Sequence, residues 1–107
     1  MLGKIVTVTI DRPKDSRHPK YPDLIYPVNY GYIEGVIGGD GEEQDAYVLG
    51  VDEPVKEFTG KVIAIIHRLN DVENKLVVAP EDVFYTKEQI CEMVDFQERY
   101  FHSEIEM

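Results

Sequence analysis

The chain has few of the features that mark secreted or membrane proteins. Its 107 residues include a single cysteine, Cys91, so no internal disulfide can form. There is no tryptophan. The longest apolar run, residues 62–66, is far shorter than the roughly 20 residues that cross a bilayer as a helix, and no lipidation signal is evident. The N-terminal residues enter a strand pattern directly, without the regions of a signal peptide. These absences favour a cytoplasmic protein that is not attached to a membrane.

Positive charge is also scarce. The chain has 11 Lys and Arg against 21 Asp and Glu, which gives a formal net charge of −10. Nucleic-acid binding is therefore unexpected, because phosphate backbones are held by concentrated Lys and Arg. The basic residues gather early, at Arg12, Lys14, Arg17 and Lys20, whereas acids dominate residues 40–45 and the C-terminal segment. This distribution suits a small anionic ligand that is held jointly by a metal ion and by Lys or Arg.

The length and an apolar content of 43% predict one domain, residues 1–107. Segments rich in β-branched residues predict five strands, and Val6, Val8 and Ile10 of the first should face the core. The predicted strands cover residues 4–10, 28–36, 45–51, 61–69 and 75–78. Because no helical pattern separates them, we expect a mainly β (α+β) fold built on a small five-stranded antiparallel barrel or a strongly bent sheet.

Only the C-terminal part has a helical pattern. Thr86 is suited to the N-cap position, and Gln89 is placed to bond back to it. The side chains that then recur at helical spacing are Ile90, Met93, Val94, Gln97 and Phe101. We therefore expect a helix from about residue 87 to about residue 100 that packs this stripe on the barrel.

An acidic loop, Asp40-Gly-Glu-Glu-Gln-Asp45, lies between the second and third predicted strands. Its carboxylates repel one another unless a cation or a proton relieves them. Gly38, Gly39 and Gly41 allow the backbone angles that would turn Asp40 and Asp45 toward a common point. Hard cations such as Mg²⁺ prefer carboxylate oxygens and often bridge to a substrate phosphate, so the loop suggests phosphate chemistry. The alternative is a solvated acidic turn.

A second charged row, Asp71, Glu73 and Lys75, has the period of an extended strand. Two carboxylates and an ammonium would then share one face, and the row could hold a metal ion together with a phosphate oxygen. The alternative is a salt-bridged strand entrance of the common kind.

Three tyrosines, Tyr26, Tyr30 and Tyr32, share the face of Val28 on the second predicted strand. A tyrosine hydroxyl beside a metal ion or a lysine can donate to a phosphate or orient a water. Alternating tyrosines are also ordinary half-buried strand residues.

The order of these motifs resembles the soluble family I inorganic pyrophosphatases. The resemblance rests on Tyr26-Pro-Val-Asn-Tyr-Gly-Tyr-Ile33, on the step of fourteen residues from Tyr26 to Asp40, on the acidic loop, and on Glu73-Asn-Lys75-Leu-Val. It covers residues 4–80, with a weaker similarity in the C-terminal helix. It implies a small five-stranded OB-like barrel and Mg²⁺-dependent hydrolysis of inorganic pyrophosphate, with Mn²⁺ as an alternative metal.

The resemblance also implies roles for individual residues. The implied metal ligands are Asp40, Asp45, Asp71 and Glu73, with Asn70 as an alternative to Asp71. Glu42 stands where the family has the aspartate that activates the attacking water, and Tyr30 and Lys75 would assist catalysis. The implied substrate-binding side chains are Arg17, Lys20, Tyr26, Tyr30, Lys75 and Tyr100.

The chain also departs from the family pattern. Thr9 or a neighbour stands where the first strand of the family carries a glutamate, Pro22 replaces an acid, and the hairpin with a phosphate-binding arginine is missing. Phe101 replaces a lysine of the C-terminal helix. Two alternatives therefore stay open: a hydrolase of another phosphoanhydride, such as a nucleoside or organic diphosphate, and a non-catalytic metal-binding, phosphate-binding or interaction module. A homo-oligomer is compatible with either.

Overall fold

The computed structural model describes residues 1–69 and 71–107. Its elements are β1 (Ile5–Arg12), β2 (Asn29–Ile37), β3 (Glu43–Val48), β4 (Glu57–Arg68), β5 (Asn74–Ala79), α1 (Lys87–Glu98) and β6 (Ser103–Glu106). The five predicted strands and the predicted helix are all present. Within the described ranges, no helix is long and apolar enough to cross a membrane.

Strands β1 to β5 close into a barrel. They are hydrogen-bonded in the order β1-β2-β3-β5-β4, and a further pairing between β1 and β4 completes the ring. The predicted small OB-like barrel with a C-terminal helix is confirmed. One pairing differs from the antiparallel expectation, because β3 and β5 run parallel. The chain reverses direction through β4 between these two strands, so β5 returns in the direction of β3.

Strand β4 is the longest strand and has two partners along one edge. Its first half pairs with β1, and its second half pairs with β6. It begins at Glu57, four residues before the predicted start. The prediction began at residue 61 because the preceding segment resembled a turn. Gly60 is a strand residue for a steric reason: a Cβ at this position would lie 2.6 Å from the carbonyl oxygen of Ala79. The glycine therefore permits a close approach of two backbones.

The core forms on both sides of the strands. On β3, Ala46 and Val48 belong to one buried cluster, whereas Tyr47 and Leu49 at the strand end belong to the other. The first cluster also contains Val8 and Ile10, as predicted, and fills the barrel. The second lies under helix α1. Strands that are buried on both faces give continuous apolar runs instead of alternation.

Helix α1 begins with the predicted capping box, in which the Thr86 side chain accepts from the Gln89 amide and the Gln89 side chain accepts from the Thr86 amide. The helix ends at Glu98, two residues before the predicted end. Its buried positions are Ile90, Val94 and Glu98. This spacing of four residues forms a single stripe, so the buried glutamate lies on the same face as the apolar side chains.

The contact between β1 and β2 predicts a strong effect of adding one methyl group. A Cβ at position 31 would lie 1.9 Å from the carbonyl oxygen of Thr9, so Gly31→Ala should lower the free energy of unfolding by about 3 kcal/mol. The control is Gly35→Ala on the same strand, where φ is +82° and no described atom lies within 4 Å of the added Cβ. It should cost only about 1 kcal/mol, from the left-handed backbone. Urea unfolding of both variants tests this, and equal losses would contradict it.

Candidate active site

A cleft of about 940 Å³ lies between the barrel and the C-terminal end of α1. Its walls come from β1 to β5, from the loop that precedes β2 and from the residues that follow α1. The lining side chains that carry the chemistry are Tyr26, Tyr30, Asp45, Arg68, Glu73 and Lys75. The cleft thus joins parts of the chain that are far apart in sequence.

The buried ammonium of Lys75 is central to this cleft. Its Nζ lies 2.6 Å from Asp45 Oδ2 and 2.6 Å from Glu73 Oε1, and the side chain is only 4% exposed. The parallel register of β3 and β5 places Ala46 opposite Leu76, so Asp45 and Lys75 are neighbours one residue earlier. The alternation along β5 brings Glu73 to the same side. Two carboxylates therefore converge on one cation.

Tyr30 completes this group from the neighbouring strand. Its hydroxyl donates a hydrogen bond of 2.8 Å to Asp45 Oδ2, and its ring lies 5.6 Å from the Lys75 ammonium. Burial raises the pKa of Tyr30 well above its ordinary value, and the negative charge of Asp45 raises it further. The hydroxyl therefore keeps its proton at neutral pH and acts as a donor.

Arg68, at the end of β4, forms the second buried cationic group. Its Nη2 and Nε donate to the two carboxylate oxygens of Glu98 over 2.7 and 3.1 Å, and its Nη1 lies 3.3 Å from Glu73 Oε2. The ring of Phe101 covers the guanidinium at 3.7 Å. Burial by itself would lower the pKa of Arg68, but the bonds and the charge of Glu98 outweigh it and raise the pKa. The positive charge is therefore permanent.

A hydrogen-bonded chain behind the cleft ties α1 to the barrel. The Tyr47 hydroxyl donates to Glu98 Oε2 over 2.6 Å, and the side-chain Nε2 of Gln97 donates to the Tyr47 hydroxyl over 2.8 Å. The Tyr26 hydroxyl donates to the side-chain Oε1 of Gln97 over 2.9 Å. Each of these buried polar groups has a partner, which stabilises a single arrangement of the cleft wall.

Asp11 and Arg12, at the end of β1, contribute a further charged pair to the rim. Arg12 Nη1 lies 3.3 Å from Asp11 Oδ2, and the buried Arg12 Nε has no hydrogen-bond partner in the described ranges. Burial raises the pKa of Asp11 and the nearby Asp45 adds to the rise, although the charge of Arg12 opposes both. Arg12 thus keeps donor capacity beside the cleft.

Several residues predicted from the sequence meet in this cleft. Asp45, Glu73, Lys75 and Tyr30 are in direct contact. Tyr26 and the exposed Tyr100 line the same cleft. The structure therefore brings part of the predicted set together, and the carboxylates hold a lysine where the resemblance implies metal.

Other predicted residues lie elsewhere. Asp40 and Glu42 are exposed in the turn before β3, where Asp40 Oδ1 accepts from the Glu42 amide, and neither lines the cleft. The exposed Arg17 donates to the Pro22 carbonyl, and the exposed Lys20 donates its amide to a ring nitrogen of the His18 side chain.

The acidic segment before β5 is only partly described. Asp71 is exposed, bonds to the amide of Val72, and lies 3.8 Å from Arg68 Nη1. Asn70, the alternative to Asp71, falls outside the described residues.

The sequence interpretation missed Arg68, Glu98, Asp11 and Arg12. The signals for the first two were present: Arg68 continues the alternating buried positions of β4, and Glu98 continues the stripe of Ile90 and Val94. Charged residues at two predicted buried positions should have suggested a buried ion pair. Asp11 gave no comparable signal, and Arg12 entered only as one of the basic residues that gather early in the chain.

The donor set decides what kind of metal the cleft suits. In residues 1–69 and 71–107, no three His, Cys, Asp or Glu side chains are grouped closely enough to form a cage. However, Asp45 and Glu73 already converge on a cation, the Lys75 ammonium. Mg²⁺ is commonly bound through one or two carboxylates, water and substrate phosphates. The two carboxylates fit such an ion.

The barrel and its charged cleft define a class of small OB-like domains with a polar site beside one helix. No protein-family model matches the chain, and no curated protein matches its sequence. Solved structures do match. The chain is 16% identical to an inorganic pyrophosphatase from Ehrlichia chaffeensis, with 97% of this chain and 85% of the other covered and a TM-score of 0.71. It is 22% identical to an inorganic pyrophosphatase from Neisseria gonorrhoeae, with 92% of this chain and 74% of the other covered and a TM-score of 0.66.

An inorganic pyrophosphatase from Helicobacter pylori gives a similar result, with 18% identity, a TM-score of 0.66, and coverage of 96% of this chain and 82% of the other. The chain therefore has the fold of inorganic pyrophosphatases, and the resemblance predicted from its motifs is confirmed at the level of the fold. At these identities the likeness concerns the fold alone.

The ion pair between α1 and β4 predicts a large loss of stability when one partner is removed. Glu98→Ala would leave the Arg68 guanidinium buried without its main partner and should lower the free energy of unfolding by about 3 to 5 kcal/mol. The matched control is Asp95→Ala on the same helix, which breaks the exposed pair with Arg99. It should cost under about 0.5 kcal/mol. Urea unfolding measures both, and a loss below about 1 kcal/mol for Glu98→Ala would contradict the prediction.

The buried tyrosines predict a loss of stability at alkaline pH. Burial raises the pKa values of Tyr26, Tyr30 and Tyr47 above the ordinary value of 10.0. Above pH 10 the unfolded chain loses these protons while the folded chain keeps them. The free energy of unfolding should therefore be unaffected below that pH and fall above it, by up to about 1.4 kcal/mol per pH unit for each tyrosine.

Urea unfolding from about pH 9 to about pH 11 tests this expectation. Tyr47→Phe should make the decline shallower, whereas Tyr100→Phe, at an exposed position, should leave the slope unchanged. A stability that does not change over this range would contradict the prediction.

Proposed function

We propose that this chain is a hydrolase that converts inorganic pyrophosphate to two phosphates with the help of Mg²⁺. The observation that carries the proposal is the group formed by Lys75, Asp45, Glu73 and Tyr30, which combines two hard carboxylates with fixed donors in one cleft. The fold shared with inorganic pyrophosphatases supports it. A cytoplasmic location and self-assembly stay predictions.

Asp45 and Glu73 would hold the metal ion, for which Mn²⁺ is an alternative. When bound, such an ion neutralises the charge of a diphosphate and lowers the pKa of a coordinated water. The two carboxylate side chains are partly buried, 31% exposed for Asp45 and 24% for Glu73, which strengthens their attraction for a cation relative to fully solvated carboxylates.

The cationic side chains of the cleft would bind the substrate. Lys75 would exchange one carboxylate partner for a phosphate oxygen, and Arg12, which lines the same cleft, would add a second positive charge. Tyr30 keeps its proton and would donate to a phosphate oxygen. Fixed donors of this kind stabilise the charge that develops on a leaving phosphate.

The turn of residues 38–42 lies outside the lining of the cleft. Asp40 stays a predicted metal ligand, and Glu42 stays the predicted group that orients or deprotonates the attacking water. Both are exposed outside the cleft lining, so these roles require the turn to move toward Asp45. Arg17 and Lys20 likewise stay predicted phosphate contacts.

A larger phosphoanhydride is the second candidate substrate. The cleft of about 940 Å³ exceeds what two phosphate groups fill, and its lining includes the exposed rings of Tyr21 and Tyr100. Such rings suit the planar or apolar part of a nucleoside or organic diphosphate. A non-catalytic phosphate-binding protein is the third reading, because the site carboxylates are already paired with Lys75 and Arg68.

Phosphate release from pyrophosphate, measured with Mg²⁺ and with Mn²⁺, tests the proposal. The wild type should release phosphate only in the presence of the metal ion. Asp45→Asn removes a proposed metal ligand, and Lys75→Met removes a proposed anion donor, so each should lower the rate by about 100-fold or more. The same assay with nucleoside and sugar diphosphates tests the second candidate.

Asp52→Asn provides the matched control, because this exposed aspartate does not line the cleft. Its rate should stay within about twofold of the wild type. Absence of metal-dependent release from pyrophosphate, or equal release by Asp45→Asn, would overturn the proposed activity. Release only from the larger diphosphates would favour the second candidate.

A further inference from the structure

The Arg68 guanidinium occupies the space between two carboxylates for which the sequence predicted a metal ion. Its Nη1 lies 3.3 Å from Glu73 Oε2 and 3.8 Å from Asp71 Oδ2. A divalent ion bridging these carboxylates would need the same space. It would also meet the positive charge of the guanidinium, which repels it strongly in a partly buried site.

The guanidinium is also held firmly in this position. The side chain is only 4% exposed, Glu98 accepts two hydrogen bonds from it, and Phe101 covers its face. Movement away would leave both Arg68 and Glu98 buried without their partner, which is costly. Because arginine keeps its proton in proteins, a change of pH does not remove this cation.

The cationic group of Lys75 has a different character. Lys75 bridges Asp45 and Glu73 on a flexible aliphatic stem, and within residues 1–69 and 71–107 its hydrogen bonds go to these cleft carboxylates alone. In the same ranges it has no counterpart of the Glu98 contact, which holds Arg68 from the side of α1. Lys75 can therefore yield its place beside Asp45 to a metal ion, whereas Arg68 stays beside Glu73 and Asp71.

We propose that Arg68 is a built-in cation that takes the place of one divalent metal ion in this cleft. Its Nη1 lies against Glu73 Oε2 and faces Asp71 Oδ2, so the inference expects that Asp71 is not a metal ligand in the wild type. Arg68 thereby acts as a positioning residue that holds Glu73 for the remaining ion. The inference rests on the proposed function only in assigning the pair Asp45 and Glu73 to a metal ion.

Titration calorimetry with Mn²⁺ tests the inference on the double variant Arg68→Gln/Glu98→Gln. This change removes the cation and its buried partner together, so net charge is unchanged and the amides can still hydrogen-bond. The variant should bind one more Mn²⁺ than the wild type, or bind Mn²⁺ about tenfold more tightly or better. Adding Asp71→Asn should abolish the gain.

The matched control is Arg99→Gln/Asp95→Asn, which removes one positive and one negative charge from an exposed pair at the C-terminal end of α1. It should bind Mn²⁺ like the wild type. The inference is overturned if Arg68→Gln/Glu98→Gln binds Mn²⁺ like the wild type, or if the control shows the same gain.

A second variant covers the case in which Arg68→Gln/Glu98→Gln does not fold. Asp71→Asn alone changes an exposed side chain, and the inference expects its Mn²⁺ affinity to equal that of the wild type. A loss of about tenfold or more would show that Asp71 is a ligand and would overturn the inference.

The Mn²⁺ isotherm and the pyrophosphate assay separate the two proposals. A wild type that releases no phosphate, together with a gain of Mn²⁺ binding in the double variant, would refute the proposed activity and support the inference. A wild type that hydrolyses pyrophosphate, together with a double variant that gains no Mn²⁺ binding, would refute the inference alone.

Discussion

The ion pair between Arg68 and Glu98 links the helix, the barrel and the cleft. Both side chains are buried, so their attraction acts in a medium of low polarity and each depends on the other to compensate for lost hydration. From Glu98, hydrogen bonds run through Tyr47 and Gln97 to the barrel wall. Arg68 also contacts Glu73, which in turn contacts Lys75. The end of α1 is therefore connected, through Glu98, Arg68 and Glu73, to the ammonium of Lys75.

The chain is acidic overall, yet its cleft contains buried cations. The formal net charge of −10 belongs to the whole chain, whereas Lys75 and Arg68 are each only 4% exposed and are both paired with carboxylates. A small, highly charged anion would be repelled at long range, and a metal ion that accompanies it would reduce the repulsion. The fold is shared with inorganic pyrophosphatases, but a shared fold does not by itself fix a function.

Local patterns predicted those features that depend on neighbours in sequence. The capping box of Thr86 and the strand periods followed from residue types alone, and the motif order placed Asp45, Glu73 and Lys75 in one site. Three features depended on tertiary contacts instead. Gly60 lies in a strand where the neighbouring backbone of Ala79 leaves no room for a Cβ. Strand β6 has only one apolar residue and is defined by its pairing with β4. The guanidinium of Arg68 is held in place only because α1 brings Glu98 to it. The position of Asp40 likewise depends on the packing of Gly39 against the backbone of Val72.

Strand β6 has a consequence for the behaviour of the chain in concentrated solution. It covers the second half of β4, where Ile65, Ile66 and His67 would otherwise present free backbone groups to other molecules. An apolar strand with an open edge is a template for intermolecular sheet growth. Strand β6 places two glutamates, Glu104 and Glu106, at that border, and Glu106 is further held by His67 at 2.7 Å. The four residues of β6 therefore close an edge that would otherwise favour intermolecular pairing of the barrel.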